Sequence, residues 1–343
     1  MSKKYWHLLW LLGLTLVFAI TDLALGTVKI PLPDLLKIVG GGIASKSSWH
    51  TIVIDFRLPK VITAILAGSG LAISGLQMQT LFKNPLAGPF VLGISSGASL
   101  GVALLVLTTA GATGLVWMGI SMGWFTVIAA SLGAALVLIL VVMASTRIQD
   151  NTTILIIGLM FGSLSGALVS VLQAGSQAEQ IQTFLIWTFG SLGGVHWAEM
   201  KILVFFIIAG GGTALVLAKR LNALLLGENY AQSMGLALKP TRLWIIISTS
   251  LLAGSITAFC GPLAFIGIAV PHIARVLFKT SDHHFLIPSV ALLGASLMLI
   301  CDIIAQIPGQ TQALPINAAT SLIGAPIVVW ILMRQKNLNR SFA

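Results

Sequence analysis

Residues 218–244 read AKRLNALLLGENYAQSMGLALKPTRLW, and their interpretation decides how the rest of the chain is arranged. Lys219, Arg220, Lys239 and Arg242 lie here between two long apolar runs, in a chain of which only 8% is charged. Excess Lys and Arg beside membrane segments stays on the cytoplasmic side, so a cytoplasmic loop is expected. Leu221, Leu224, Leu225, Ala231 and Met234 fall at helical spacing and Gly235 can serve as a C-cap, which predicts short helices. An apolar stripe on a water-exposed loop wants a partner, and a cytoplasmic motor protein would fit. The plain alternative is an inter-helix loop resting on its own membrane domain.

Outward from this loop the chain is apolar. Of its 343 residues 57% are hydrophobic and the mean hydropathy is +1.01, whereas soluble domains carry about 25% charged residues. Backbone polar groups in hydrocarbon must be satisfied within their own segment, so apolar runs of about 20 residues are helices. The expectation is an all-α polytopic membrane protein, one domain over residues 1–343. Its spans run roughly over 6–26, 60–82, 90–110, 120–144, 153–174, 198–218, 242–260, 262–278, 286–306 and 315–333, ten in all. The first is preceded by Lys3 and Lys4 and ends in a passable cleavage site, but it is too long for a signal segment. Roughly residues 27–57 form an outer-surface insert with a helix near Leu32–Val39, and roughly residues 219–242 form the cytoplasmic loop.

An even number of spans puts both termini on one side, and charge tells which. With termini inside, the cytoplasm receives Lys3, Lys4, Lys83, Arg147, Lys219, Arg220, Lys239, Arg242, Arg275, Lys279, Arg334, Lys336 and Arg340, which leaves six of the 19 basic residues outside. Trp6, Trp117, Trp124, Trp187, Trp197, Trp244 and Trp330 sit near span ends, as interfacial belts require. The net charge of +10 is thus a membrane-side asymmetry beside anionic lipid, and nothing suggests nucleic acid. Cys260 and Cys301 both fall in apolar segments and read as packing residues.

The spans are built to touch one another. Gly93, Gly97 and Gly101, then Gly158, Gly162 and Gly166, repeat at four-residue spacing, and Gly68, Gly70, Ser74 and Gly75 crowd the second span. Helix breaks are expected at residues 84–89, at Gly261-Pro262 and at Pro271-His272. Gly-Lys never occurs, so the chain has no P-loop and is not itself the ATPase. Intramembrane acids are confined to Asp22 and Asp302, which argues against ion coupling; Asp302 reads as a hydrogen-bonded structural residue or a wet pathway group. Gly93-Ile94-Ser95-Ser96-Gly97 matches GxSxG, but that motif needs a strand before the serine and the flanks here are helical. Asp282-His283-His284 reads as a solvated turn rather than a metal site, and no His or Cys array suggests a cofactor.

Taken in order, several groups of residues form a pattern. They are Arg57-Leu58-Pro59-Lys60, residues 70–75 with Gln79, Asn84-Pro85-Leu86-Ala87, Leu226-Gly227-Glu228 with Ala231 and Met234-Gly235, Gly261-Pro262 with Phe265-Ile266-Gly267, Pro271-His272 with Arg275, and Leu314-Pro315 with Gly324-Ala325-Pro326. The chain resembles the FecCD-type permeases, membrane subunits of bacterial ABC importers for iron-siderophores, haem and cobalamin. That resemblance implies a type II ABC importer bundle of ten spans in the bacterial cytoplasmic membrane. It implies a second permease copy or paralogue, two cytoplasmic ABC ATPases that bind the ATP, and a substrate-binding protein outside. By position, Leu226, Gly227, Glu228, Tyr230, Ala231, Met234 and Gly235 would seat in the ATPase. Asn84, Leu86, Asn151 and Thr152 would form the cytoplasmic gate, and Arg57 and Lys60 would face acids of the binding protein. Where the family often has a further arginine this chain has Gln306; Ala313 and Asn317 replace its usual Glu and Gly. Two rival classes remain: a secondary carrier or channel acting alone, and an intramembrane serine hydrolase using Ser95.

Overall fold

The computed structural model describes residues 3–26, 28–42, 45–108, 122–148, 150–306 and 314–333. Trp117, Ala313, Arg334, Lys336 and Arg340 lie outside them. The described residues are helical throughout: α1 (Lys3–Ala24), α2 (Leu32–Val39), α3 (Ser47–Thr51), a π-helical segment (Ile52–Arg57), α4 (Leu58–Leu81), a 3₁₀ turn (Pro89–Leu92), α5 (Ile94–Leu107), α6 (Met122–Arg147), α7 (Asn151–Ala174), α8 (Ala178–Thr188), α9 (Trp197–Val216), α10 (Ala218–Leu225), α11 (Glu228–Ser233), α12 (Leu238–Cys260), α13 (Ile266–Phe278), α14 (His283–Ala305) and α15 (Ile316–Met333). Among the described residues seven helices are long and apolar enough to cross a membrane, and α5, α13 and α15 are shorter apolar helices. Each expected span coincides with one of these helices to within a few residues.

The last part of the insert is helical, since Ser47–Leu81 forms one continuous helix of 35 residues. At 1.5 Å per residue this is roughly 50 Å, well beyond a hydrocarbon core of about 30 Å. One expectation needs correction: the chain does not break at Pro271-His272, since Pro271 lies inside α13. The break falls just before it, where Gly261 (φ 76°) and Phe265 (φ 66°) take left-handed backbone. Pro271 removes the N–H that the Gly267 carbonyl would accept in a regular helix. That carbonyl instead packs on Gly75 of α4, where any Cβ would overlap it.

Helix α4 is the axis of the bundle, with α14, α12, α13 and α9 packed around it and α1 outside α14. The approach of α14 is set at Gly68 and Gly294, each of which would meet the other's backbone if given a side chain. A second group forms around α5: Gly97 and Gly101 press on Gly133 and Ala129 of α6, and Gly93 on Gly158 of α7. Gly166 departs from the expected stripe, because among the described residues of other elements nothing lies within 4 Å of its would-be Cβ. It belongs to a face of α7 that also exposes Ile156, Leu159, Met160, Ser163, Leu164 and Ser170. Most buried polar side chains among the described residues are paired, as burial requires, although Asp22 Oδ2, Asn151 Oδ1 and Arg242 Nε have no hydrogen-bond partner. Gln77 exchanges hydrogen bonds with Ser248 and accepts one from Thr249, and Gln79 accepts from Arg275 at 2.6 Å.

Candidate functional site

The loop at 218–244 folds as two short helices, α10 and α11, with Gly227 (φ 109°) between them. Helix α11 ends in a Schellman motif: Gly235 N–H donates to Gln232 O at 2.9 Å and Leu236 N–H to Ala231 O at 3.0 Å. Gly235 holds φ 86°, the left-handed backbone that favours glycine, so the expected C-cap is present. The expected apolar stripe divides in two. Leu221, Leu224 and Ala231 are buried against the chain itself and fix the loop to the bundle, whereas Leu226, Tyr230 and Met234 are each more than half exposed. The outward apolar set is therefore the latter three residues.

Beneath that surface Glu228 holds three elements together. Its Oε2 accepts from Arg242 Nη2 at 2.7 Å, and its Oε1 from Asn151 Nδ2 at 2.6 Å. The same Asn151 amide donates to the Leu81 carbonyl at 2.8 Å, at the last residue of α4. Arg242 is almost fully buried, and a buried guanidinium requires a carboxylate. The start of α7 is fixed by Asp150, which accepts from the Thr153 hydroxyl at 2.6 Å and amide at 2.7 Å. These bonds hold its carboxyl below the usual carboxylate range. A polar cavity of about 650 Å³ opens here, lined by Phe82, Lys83, Asp150, Asn151, Thr152, Leu226, Glu228 and Tyr230 among others. Two of the expected gate residues, Asn151 and Thr152, thus share a site with Glu228. Asn84 and Leu86 form the adjoining turn, where Leu86 N–H donates to Asn84 Oδ1 at 2.9 Å.

The other end of α4 carries Arg57 and Lys60, and both cations have partners within the chain. Arg57 Nη1 donates to the Leu23 carbonyl at 2.7 Å and Ala24 at 3.2 Å, and Nη2 donates to Val28, so the guanidinium caps the end of α1. Lys60 Nζ lies 2.9 Å from Asp302 Oδ2. Gln306 Nε2 joins Asp302 Oδ2 (3.0 Å) to Asp22 Oδ1 (2.8 Å), and so closes a cluster of α1, α4 and α14. Asn317 accepts from Ala264 N–H at 3.1 Å and ties α15 to the residue 261–265 break.

Other candidates resolve differently. Ser95 lies on helix α5 and pairs with Thr257, not with a histidine. His283 is no part of a solvated turn, because it is wholly buried. Among the described residues no group of His, Cys, Asp and Glu could hold a metal. Arg242 and Lys83, which along the sequence read only as charges, both lie at the site. A signal for Arg242 existed: a basic residue just inside an apolar span, with Glu228 as the acid nearest before it.

A family model of the FecCD transport family matches residues 14–334. The chain belongs to that family. It is 32% identical over 330 residues to BtuC, a vitamin B12 import system permease of Klebsiella pneumoniae, covering 95% of this chain and 94% of that one. It is also 32% identical over 328 residues to HmuU, a hemin transport system permease of Yersinia pestis, with 95% and 96% covered. A solved metal-chelate type ABC transporter in an inward-facing conformation superposes with a TM-score of 0.81 at 28% identity, over 95% of this chain and 98% of that one. This FecCD-family chain is accordingly an ABC-importer permease.

Proposed function

We propose that this FecCD-family permease is a passive gated pathway for a metal chelate, either an iron-siderophore or haem, worked from the cytoplasmic side by a partner ATPase. Cobalamin is the alternative cargo. The observation that carries this reading is Glu228, placed under the exposed Leu226, Tyr230 and Met234 and bonded to both Arg242 and Asn151. Force applied to α11 would reach the starts of α12 and α7 and the end of α4 through three short, charge-assisted or buried hydrogen bonds. Nucleotide binding in the partner then shifts the balance of inward- and outward-open states, because the contacts differ between them. Helices α5, α13 and α15 complete ten spans in the inner membrane, with both termini inside. The open face of α7, with Gly166 and its serines, would meet a second permease copy or paralogue across the pathway. A binding protein would dock outside near α2 and α3. Arg57 and Lys60 could serve it only by exchanging partners they already hold.

The test is reconstitution of the chain with its ATPase and binding protein in liposomes, with haemin, cyanocobalamin and a ferric hydroxamate offered separately. Glu228→Lys places a second cation against Arg242 and should abolish ATP-driven uptake while the chain still inserts. Gly235→Trp should do the same, since its φ disfavours any side chain. Full uptake by both variants would refute the role of this loop.

A further inference from the structure

A second buried cluster lies beside the loop, apart from the Glu228 site. His283, at the start of α14, is completely buried, with Asn222 of α10 on one side of its ring and Thr80 of α4 on the other. Asn222 Oδ1 accepts the His283 backbone N–H at 2.8 Å, which identifies that atom as the oxygen. The same oxygen lies 2.7 Å from Nδ1, so Nδ1 carries a proton. The Thr80 hydroxyl, which also lies 2.9 Å from the Leu76 carbonyl, is 2.8 Å from Nε2, and on a neutral ring Nε2 can only accept its single proton. The Asn222 amide donates to Asp282 Oδ1 at 2.8 Å, which fixes its orientation. Each link leaves little freedom to the next.

We infer that Asn222, His283 and Thr80 are positioning residues that form a second arm from the loop to the gate turn. The inference rests on the proposed function. The first arm, Glu228 to Asn151, ends on the carbonyl of Leu81, and this one ends on the side chain of Thr80. Neighbouring residues of an α-helix point about 100° apart. Two attachments at adjacent residues therefore add to the Gln79 bonds with Arg275 and Ile268 in resisting rotation of the last turn of α4, and tie that turn to the loop. Directly beyond lies Lys83 in left-handed backbone (φ 47°) and the Asn84–Leu86 bond, so the turn is carried rigidly with the loop. With a single arm the turn would follow the loop less closely.

Thr80→Val keeps shape and branching but removes the hydroxyl, and Thr80→Ser keeps the hydroxyl. In the reconstituted complex, using whichever of haemin, cyanocobalamin or ferric hydroxamate the wild type moves, Thr80→Val should lower substrate moved per ATP hydrolysed by about fivefold, the scale of one buried hydrogen bond. Assembled yield and basal ATPase should stay within about twofold, and Thr80→Ser should restore the ratio. Asn222→Ala should reproduce the loss from the other end, and the double variant should be no worse than either single one, as for two links of one chain. If Thr80→Val does not assemble, the Asn222→Ala ratio decides. An unchanged ratio in the variants, or additive losses, overturns the arm. A wild-type complex without ATP-driven uptake would instead overturn the functional reading.

Discussion

Glu228 and Lys60 sit at opposite ends of α4, and each holds a pairing that its neighbours in sequence do not reveal. At the Lys60 end Asp302 pairs with that cation, and Gln306 bridges Asp302 to a second buried acid, Asp22. Removing one partner of a buried ion pair leaves an uncompensated charge, which costs several kcal/mol. Lys60→Met should therefore lower stability by about 3 kcal/mol, read as thermal unfolding in detergent. Lys60→Met with Asp302→Asn should recover most of the loss. If Lys60→Met unfolds like wild type, the pair does not hold α4 to α14. Gln306 fits the same account, since an amide can donate to both acids without adding a charge.

At the scale of elements, the bundle is held by backbone approach at glycine pairs. Gly75 against Gly267 and Gly68 against Gly294 leave no room for a Cβ, whereas Gly166 faces open space. Gly75→Val should reduce the yield of monodisperse protein severely, because overpacking against backbone reaches or exceeds about 3 kcal/mol. Gly166→Val should leave the single chain intact and weaken only its pairing with a second copy. Size-exclusion chromatography of fluorescently tagged variants separates the two outcomes, and equal behaviour would contradict the packing described. The four-residue glycine spacing was readable in the sequence. Which partner each glycine meets was not, because spacing marks a face and leaves its neighbour unspecified. The Pro271 break failed for a related reason: a proline's lost hydrogen bond is tolerable where another helix packs on the freed carbonyl.

For the whole molecule the claim to test is orientation. Lys37 on α2 and Lys219 on α10 are both exposed and lie toward opposite ends of the bundle, while the native thiols Cys260 and Cys301 are buried. In intact cells an impermeant maleimide should label Lys37→Cys and not Lys219→Cys, and after permeabilisation it should label both. Labelling of Lys219→Cys from outside would invert the protein and remove the ATPase from the coupling loop.

The sequence by itself determined the helical class, the place of each apolar segment and the family, because hydropathy, glycine spacing and motif order are written along the chain. Only the tertiary structure decided that Lys60 belongs to Asp302, that Arg57 caps α1, that His283 is buried between Asn222 and Thr80, and that Glu228 binds Arg242 and Asn151. Those partners lie up to 242 positions apart, and which helices stand side by side is settled by packing of the whole bundle. A charge in a sequence states a need, and the fold chooses what meets it.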